Sequence, residues 1–254
     1  MPYGCAKIRR LGRVEEDYDT EKGVVAEMKQ ICGIVLMAMC GCVSSGGLME
    51  ECPVSENVRG HENVEWSIAY AYGLTDAAKD LPRVLLVGDS ICQGYQEGVR
   101  ERLKGRMNVS YWISSYCVTS PAYMHLLSVY LDETKYDVIH FNNGLHSLGT
   151  PIDAYKDCFR TAIELIHRRQ PQAKIVWCSS TPLKDAEKTA KCQELNAAAA
   201  QVVEEFGDIA TNDLFALLNP LDREENWSDV YHHKPPLCAK EAEEVVNSVL
   251  TACK

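Results

Sequence analysis

A short apolar run, Val84-Leu85-Leu86-Val87, stops at Gly88-Asp89-Ser90, and a helical pattern follows. This layout sets one serine at the carboxyl end of a buried strand. In an α/β sheet the strand ends open into a crevice there, and the next helix offers free backbone N–H groups to an anion. Near the far end of the chain stands Asp229-Val230-Tyr231-His232. An acid three residues ahead of a histidine in a turn can reach the imidazole Nδ1, fix the tautomer and leave Nε2 to take a proton from a serine. Ser90, Asp229 and His232 thus have the types and the chain order of a hydrolase triad. Singly the motifs say less, because Asp89 and Ser90 also suit a helix cap and a surface Asp and His commonly do no more than bond each other.

With a third segment, Asn142-Asn143-Gly144-Leu145-His146 after a mid-chain strand, the chain resembles the SGNH/GDSL hydrolase superfamily over residues 82 to 252. The resemblance implies Ser90 as nucleophile and first oxyanion donor, His232 as general base and Asp229 as its orienting partner. Two of the four family blocks depart from pattern. The loop Ile113 to Thr119 has no glycine where the family places an oxyanion-hole N–H, so the backbone of Cys117 or Ser115 is the expected substitute. The third block reads Gly144-Leu145-His146-Ser147 in place of Gly-x-Asn-Asp, which puts His146 where a side-chain donor is expected, with the amides of Asn142 or Asn143 just upstream. The Phe-Asn-x-Gly-Leu-His form of this block favours Asn142 and His146 over Asn143. The alternative for His146 is a structural histidine bonded to a loop carbonyl.

The elements that must position these groups are legible after residue 82. Strands are expected at Val84 to Val87, Val109 to Ile113, Val138 to Asn142, Lys174 to Cys178 and near 208 to 211. Helices are expected at Tyr95 to Lys104, Ala122 to Leu131, Ile152 to Arg169, Ala186 to Phe206 and Lys240 to Ala252. The strands are apolar on both faces, as a parallel sheet covered by helices requires. The pattern predicts a three-layer α/β/α sandwich on a mainly parallel five-stranded sheet, flavodoxin-like, spanning residues 62–254. The chain has 254 residues, 46% of them hydrophobic, enough for a sizeable core.

Residues 1–61 read as leader and linker. From Met28 a lysine is followed by an apolar stretch, Ile31 to Gly41, then Cys42 and Val43-Ser44-Ser45-Gly46-Gly47. This resembles a bacterial lipoprotein signal with Cys42 as the lipidated residue, although Met39 and Cys40 depart from the usual lipobox. So short a run cannot span a bilayer, which takes about 20 residues. The competing reading is a buried helix of the domain. Export, with the membrane met only through lipid on Cys42, is the expectation.

The formal charge of −10 includes no basic cluster, which argues against nucleic acid or anionic membrane surfaces as partners. Twelve cysteines lack any Cys-x-x-Cys spacing. Export would permit disulfides, with Cys92 and Cys117 falling beside Ser90, whereas buried thiols acting as small hydrophobes are the alternative. Neither metal nor cofactor is implied. The function expected is a serine esterase removing a small acyl group, acetyl, from a glycan or other small ester, with Tyr95, Tyr116, Trp227 and Tyr231 as candidates to stack on a sugar. A non-catalytic carbohydrate-binding module on the same fold is the alternative. A nucleotide binder ranks last, since one glycine is no phosphate cradle and Asp89 would repel phosphate.

Overall fold

The computed structural model describes residues 62–71 and 80–254. The signal-like run, Cys42 and the linker up to residue 61 lie outside the described residues. The strands are β1 (Ser67–Tyr70), β2 (Arg83–Gly88), β3 (Asn108–Ser114), β4 (Val138–Phe141), β5 (Lys174–Cys178) and β6 (Ala210–Asn212). The helices are α1 (Ser90–Leu103), α2 (Pro121–Asp132), α3 (Ile152–Arg169), α4 (Ala186–Phe206), α5 (Leu214–Leu218), α6 (Arg223–Asn226) and α7 (Pro235–Ala252). The sheet order is β1-β3-β2-β4-β5-β6, parallel throughout except for β1, which pairs antiparallel with β3.

The alternation of side chains along each strand divides the core in two. Leu85, Val87, Trp112, Ile139, Phe141, Ile175 and Trp177 point to the face covered by α2, α3 and α4. Their neighbours Val84, Leu86, Val109, Ile113, Val138 and Val176 point to the face covered by α1 and α7. Both faces are dry, which is why these strands lack the polar alternation of a half-exposed sheet. The helix ends follow local chemistry. Asp89 and Asp185 cap α1 and α4 by accepting from the N–H of Ile91 (2.9 Å) and Lys188 (2.8 Å), and Gly207, at φ 73°, ends α4.

Among the described residues the sheet therefore has six strands, not the five expected. The extra one, β1, is four residues long with mostly exposed side chains, so no burial alternation marks it in the sequence. It is held by main-chain pairing to β3, by Trp112 Nε1 donating to Ser67 Oγ at 2.8 Å, and by Tyr70 stacking on Tyr111. Two boundaries also shift. The first helix begins at Ser90 and the last at Pro235, each a turn or more earlier than hydrophobic periodicity suggests, because capping and proline at the first turn set a helix start.

Among the seven described cysteines none forms a disulfide, and Cys92, Cys117, Cys158, Cys178 and Cys192 are buried. Cys92 lies in the first turn of α1 and is not bonded to Cys117. Burial pushes the Cys92 and Cys192 thiols up to about 12, so they behave as small apolar side chains rather than nucleophiles.

Candidate active site

The connection after β2 runs through α1 to β3, whereas that after its neighbour β4 runs through α3 to β5, so the two connections diverge and open a crevice at the carboxyl ends of β2 and β4. Ser90 stands there as the first residue of α1. Gly88 is needed just before it, because a Cβ at that position would lie 2.7 Å from Cys92 Cβ. The Ser90 N–H, in the first turn of α1, has no partner within the helix and faces the side of the dipole that favours an anion.

The histidine comes from a loop that is fastened at both ends. Trp227 and His233 pair across it, Lys234 N donates to Asn226 O, and Ser228 N donates to His232 O. Trp227 is buried, with its Nε1 donating to Pro182 O at 3.1 Å and Arg223 stacked over its ring. Lys184 N holds Val230 O at 2.9 Å from the loop ahead of α4. Between these fastenings Asp229 makes an Asx turn, its Oδ1 accepting from Tyr231 N (2.8 Å) and His232 N (2.9 Å).

That turn leaves Asp229 Oδ2 2.8 Å from His232 Nδ1, while His232 Nε2 lies 3.0 Å from Ser90 Oγ. A carboxylate only accepts, so Nδ1 carries the proton and Nε2 presents its lone pair to the serine hydroxyl. Partial burial would raise the Asp229 carboxyl, but the N–H groups of His232 and Tyr231 and the His232 ring outweigh it and hold the group at about 2. Asp229 is therefore ionised wherever His232 could act as a base. The structure brings together the three side chains expected to form a triad, in an arrangement able to deprotonate a serine during attack on a carbonyl.

The groups expected around the oxyanion are placed differently from one another. Both amide hydrogens of Asn142 point inward, to Cys178 O (2.7 Å) and Ser180 Oγ (3.0 Å). Asn143 bridges two loops, with Nδ2 on Tyr116 O (3.0 Å) and Oδ1 accepting from Val118 N (3.1 Å) and Ser147 Oγ (3.0 Å). It thus fixes the glycine-less loop that carries Cys117, whose thiol is buried 3.1 Å from Thr119 Oγ1. Ser115 pairs with Trp66 instead, its N–H donating to Trp66 O and its Oγ accepting from Trp66 N. His146 faces a carboxylate, with Nδ1 2.5 Å from Glu62 Oε1, and among the described residues no loop carbonyl is its partner.

Of the four aromatics weighed for sugar stacking, Tyr95 and Trp227 are buried in the core and have no face to offer, while Tyr116 and Tyr231 are partly exposed. Tyr231 is occupied by Lys188, whose ammonium lies 4.5 Å over the ring and also donates to the phenol oxygen. Glu62 and Trp66, which sequence reasoning did not single out, reach the rim because β1 runs antiparallel to β3. Trp66 ahead of a strand-like Ser-Ile-Ala-Tyr was the one signal available. Among the described residues no group of His, Cys, Asp and Glu is placed to hold a metal ion, and no helix is long and apolar enough to cross a membrane.

No protein-family model matches the sequence, and no curated protein matches it either. Solved structures do. A carbohydrate esterase of family 3 from Talaromyces cellulolyticus superposes with a TM-score of 0.55 at 13% identity, over 68% of this chain and 98% of that one. A member of the lipolytic protein G-D-S-L family from Veillonella parvula superposes with a TM-score of 0.54 at 16% identity, over 65% and 98%. A family two carbohydrate esterase from Clostridium thermocellum gives 0.52 at 12% identity, over 67% and 63%. The strand order, the helices on both faces and these superpositions together show that the chain has the fold of the SGNH/GDSL hydrolases.

Proposed function

We propose that the protein is a serine esterase that removes a small acyl group, acetyl, from a carbohydrate. The observation that carries the reading is the continuous hydrogen-bonded line from Asp229 Oδ2 through His232 to Ser90 Oγ, at 2.8 and 3.0 Å. Ser90 Oγ attacks the ester carbonyl as His232 Nε2 takes its proton, and the charge that develops on the carbonyl oxygen is met by the Ser90 N–H at the start of α1. Protonated His232 then gives the proton to the departing alcohol. The acyl-Ser90 ester is hydrolysed by a water that His232 deprotonates in turn, which restores the free serine and releases the acid.

A small acyl group is supported by the space available. The cavity lined by Asp89, Ile91, Cys92, Asn142, Cys178 and Ser180 among others, flanking Ser90 in the chain, is about 10 Å³, so no deep channel for a long acyl chain opens there. The carbohydrate half of the reading is supported by the two carbohydrate esterases among the structures of the same fold. Export and lipid attachment at Cys42 belong to the same proposal.

The test is a fluorophosphonate probe followed by hydrolysis of p-nitrophenyl acetate. Wild-type protein should be labelled on Ser90, and Ser90→Ala should lose label and about a thousandfold or more of the rate. Activity of Ser90→Ala within tenfold of wild type would remove the assignment. An unlabelled, inactive but folded wild type would support the alternative, a carbohydrate-binding module on this fold, for which the inward engagement of the Asn142 amide is the one favouring observation.

A further inference from the structure

We infer that residues 62–66 form a sugar-binding subsite over the nucleophile, with the Trp66 ring as its apolar face and the Glu62–His146 pair as its polar edge; this rests on the esterase reading above. Trp66 is tied to β3 through Ser115, on the β1 edge of the sheet. His146 belongs to the loop after β4. The order β1-β3-β2-β4 puts three strand spacings between them, about 14 Å at about 4.8 Å each. Yet the Trp66 and His146 rings meet edge to face with centroids 6.3 Å apart, and Glu62 reaches His146 Nδ1. Side chains that join β1 to the β4 loop must cross the carboxyl ends of β3 and β2, and β2 ends at Gly88, two residues before Ser90.

The face is also the right one. Trp66 packs against the cluster that contains Ile91, Ile113 and Leu145, on the side of the sheet covered by α1, of which Ser90 is the first residue. Residues 62–66 therefore lie beside the crevice in which an ester bound at Ser90 would extend. The chemistry there differs from that of an acyl pocket. Glu62 is 47% exposed and His146 17% exposed, so a carboxylate and an imidazole edge line water rather than closed apolar space. An aromatic ring next to a carboxylate and an imidazole suits a ligand with C–H faces and equatorial hydroxyls, since the ring packs on the former and the polar pair bonds the latter. The negative charge of Glu62 disfavours an anionic alcohol. The ligand class is a neutral O-acetylated sugar, bound through its sugar rather than its acyl part.

The experiment compares kcat/KM for glucose pentaacetate with kcat/KM for p-nitrophenyl acetate in wild type, Trp66→Ala, Trp66→Phe and Glu62→Ala. The ratio of the two should fall about tenfold or more in Trp66→Ala and Glu62→Ala, through KM, and return to within about threefold of wild type in Trp66→Phe. Should Trp66→Ala melt, Glu62→Ala at an exposed position reads the same subsite. An unchanged ratio in Glu62→Ala and in folded Trp66→Ala would overturn the subsite alone. So would a wild type that hydrolyses p-nitrophenyl acetate but not the pentaacetate. A wild type inactive on both and unlabelled by fluorophosphonate would fell the esterase reading, and the subsite with it.

Discussion

His233 Nδ1 and Glu241 Oε1 lie 2.9 Å apart with side chains 1% and 0% exposed, one residue beyond the histidine that faces Ser90. The contact is a close pair rather than an aligned hydrogen bond, for neither group has a well-directed partner. Burial pushes the Glu241 carboxyl up, and His233 opposes that shift. The His233 ring stands edge-on to Trp227 at 4.8 Å, so the pair anchors the base of the loop carrying Asp229 and His232 to α7. Removing one partner leaves a buried group uncompensated. His233→Ala should cost about 3–5 kcal/mol in urea denaturation, and the double change His233→Leu with Glu241→Leu should cost less than that single one. Strictly additive losses would show that the two do not interact.

On the proposed esterase reading Asp229 orients the His232 ring through Oδ2 and Nδ1, 2.8 Å apart, so Asp229→Asn should lower kcat on p-nitrophenyl acetate, though less than Ser90→Ala does. Because its hydrogen bonds hold the Asp229 carboxyl at about 2, the stability it contributes is present above the ordinary carboxylate range and is lost as pH falls through about 2. An equal acid slope of unfolding stability in wild type and Asp229→Asn between about pH 4 and 2 would contradict this.

His146 directs Nδ1 at Glu62 Oε1. In the neutral ring a proton on Nδ1 leaves Nε2 an acceptor that cannot donate to an oxyanion. His146→Ala should therefore reduce kcat on p-nitrophenyl acetate by less than about tenfold, against the hundredfold or so expected for loss of an oxyanion donor. A loss of that larger size, with KM unchanged, would return His146 to the hole.

Gly144 opens the turn that leads to His146, and a Cβ there would lie 1.8 Å from Ser180 Oγ and 2.9 Å from Ser180 Cβ. Ser180 Oγ in turn accepts from Asn142. Gly144→Ala should push these two loops apart, costing about 1–3 kcal/mol by thermal or urea unfolding and lowering kcat as well. Pairing it with Ser180→Gly should recover part of the stability; no recovery would place the strain elsewhere.

His140 on β4 is buried, accepts from Asn212 Nδ2 at 3.0 Å and meets Tyr95 edge to face. Burial drives its imidazole down to about 3. The folded state thus keeps it neutral while the unfolded chain takes a proton near pH 6.5, so stability falls as pH drops from about 6.5 toward 3, by up to about 1.4 kcal/mol per unit. Urea denaturation of His140→Gln should show a shallower slope between pH 7 and 5 than wild type. Equal slopes would assign the acid sensitivity to other groups.

Much of this molecule is written locally. The central strands are continuous apolar runs because both faces are covered, and the helices between them repeat at helical period, so the α/β/α layering and a parallel sheet follow from chain pattern alone. Asp229 and His232 are three residues apart, and the turn that joins them is a local Asx turn. Ser90 at a strand end after Gly88-Asp89 is equally local. The three side chains that the structure brings together as Asp229, His232 and Ser90 were legible for that reason.

What required tertiary structure is what depends on distant partners. Ser90 meets His232 across 142 positions in the chain, and only the crossover order of the sheet and the fastening of loop 227–234 set that gap at 3.0 Å. The direction of the Asn142 amide depends on Ser180, and that of His146 on Glu62, neither of them a neighbour in sequence. Tyr95 and Trp227 look like Tyr116 and Tyr231 as residue types, and packing alone decided which were buried. Edge strand β1 lacks an alternating pattern because little of it is covered, so only Trp66 ahead of Ser67–Tyr70 hinted at the segment that carries Glu62 to the rim, and its place was decided by pairing with β3. Periodicity records which face of an element is dry; it carries no record of which element lies opposite.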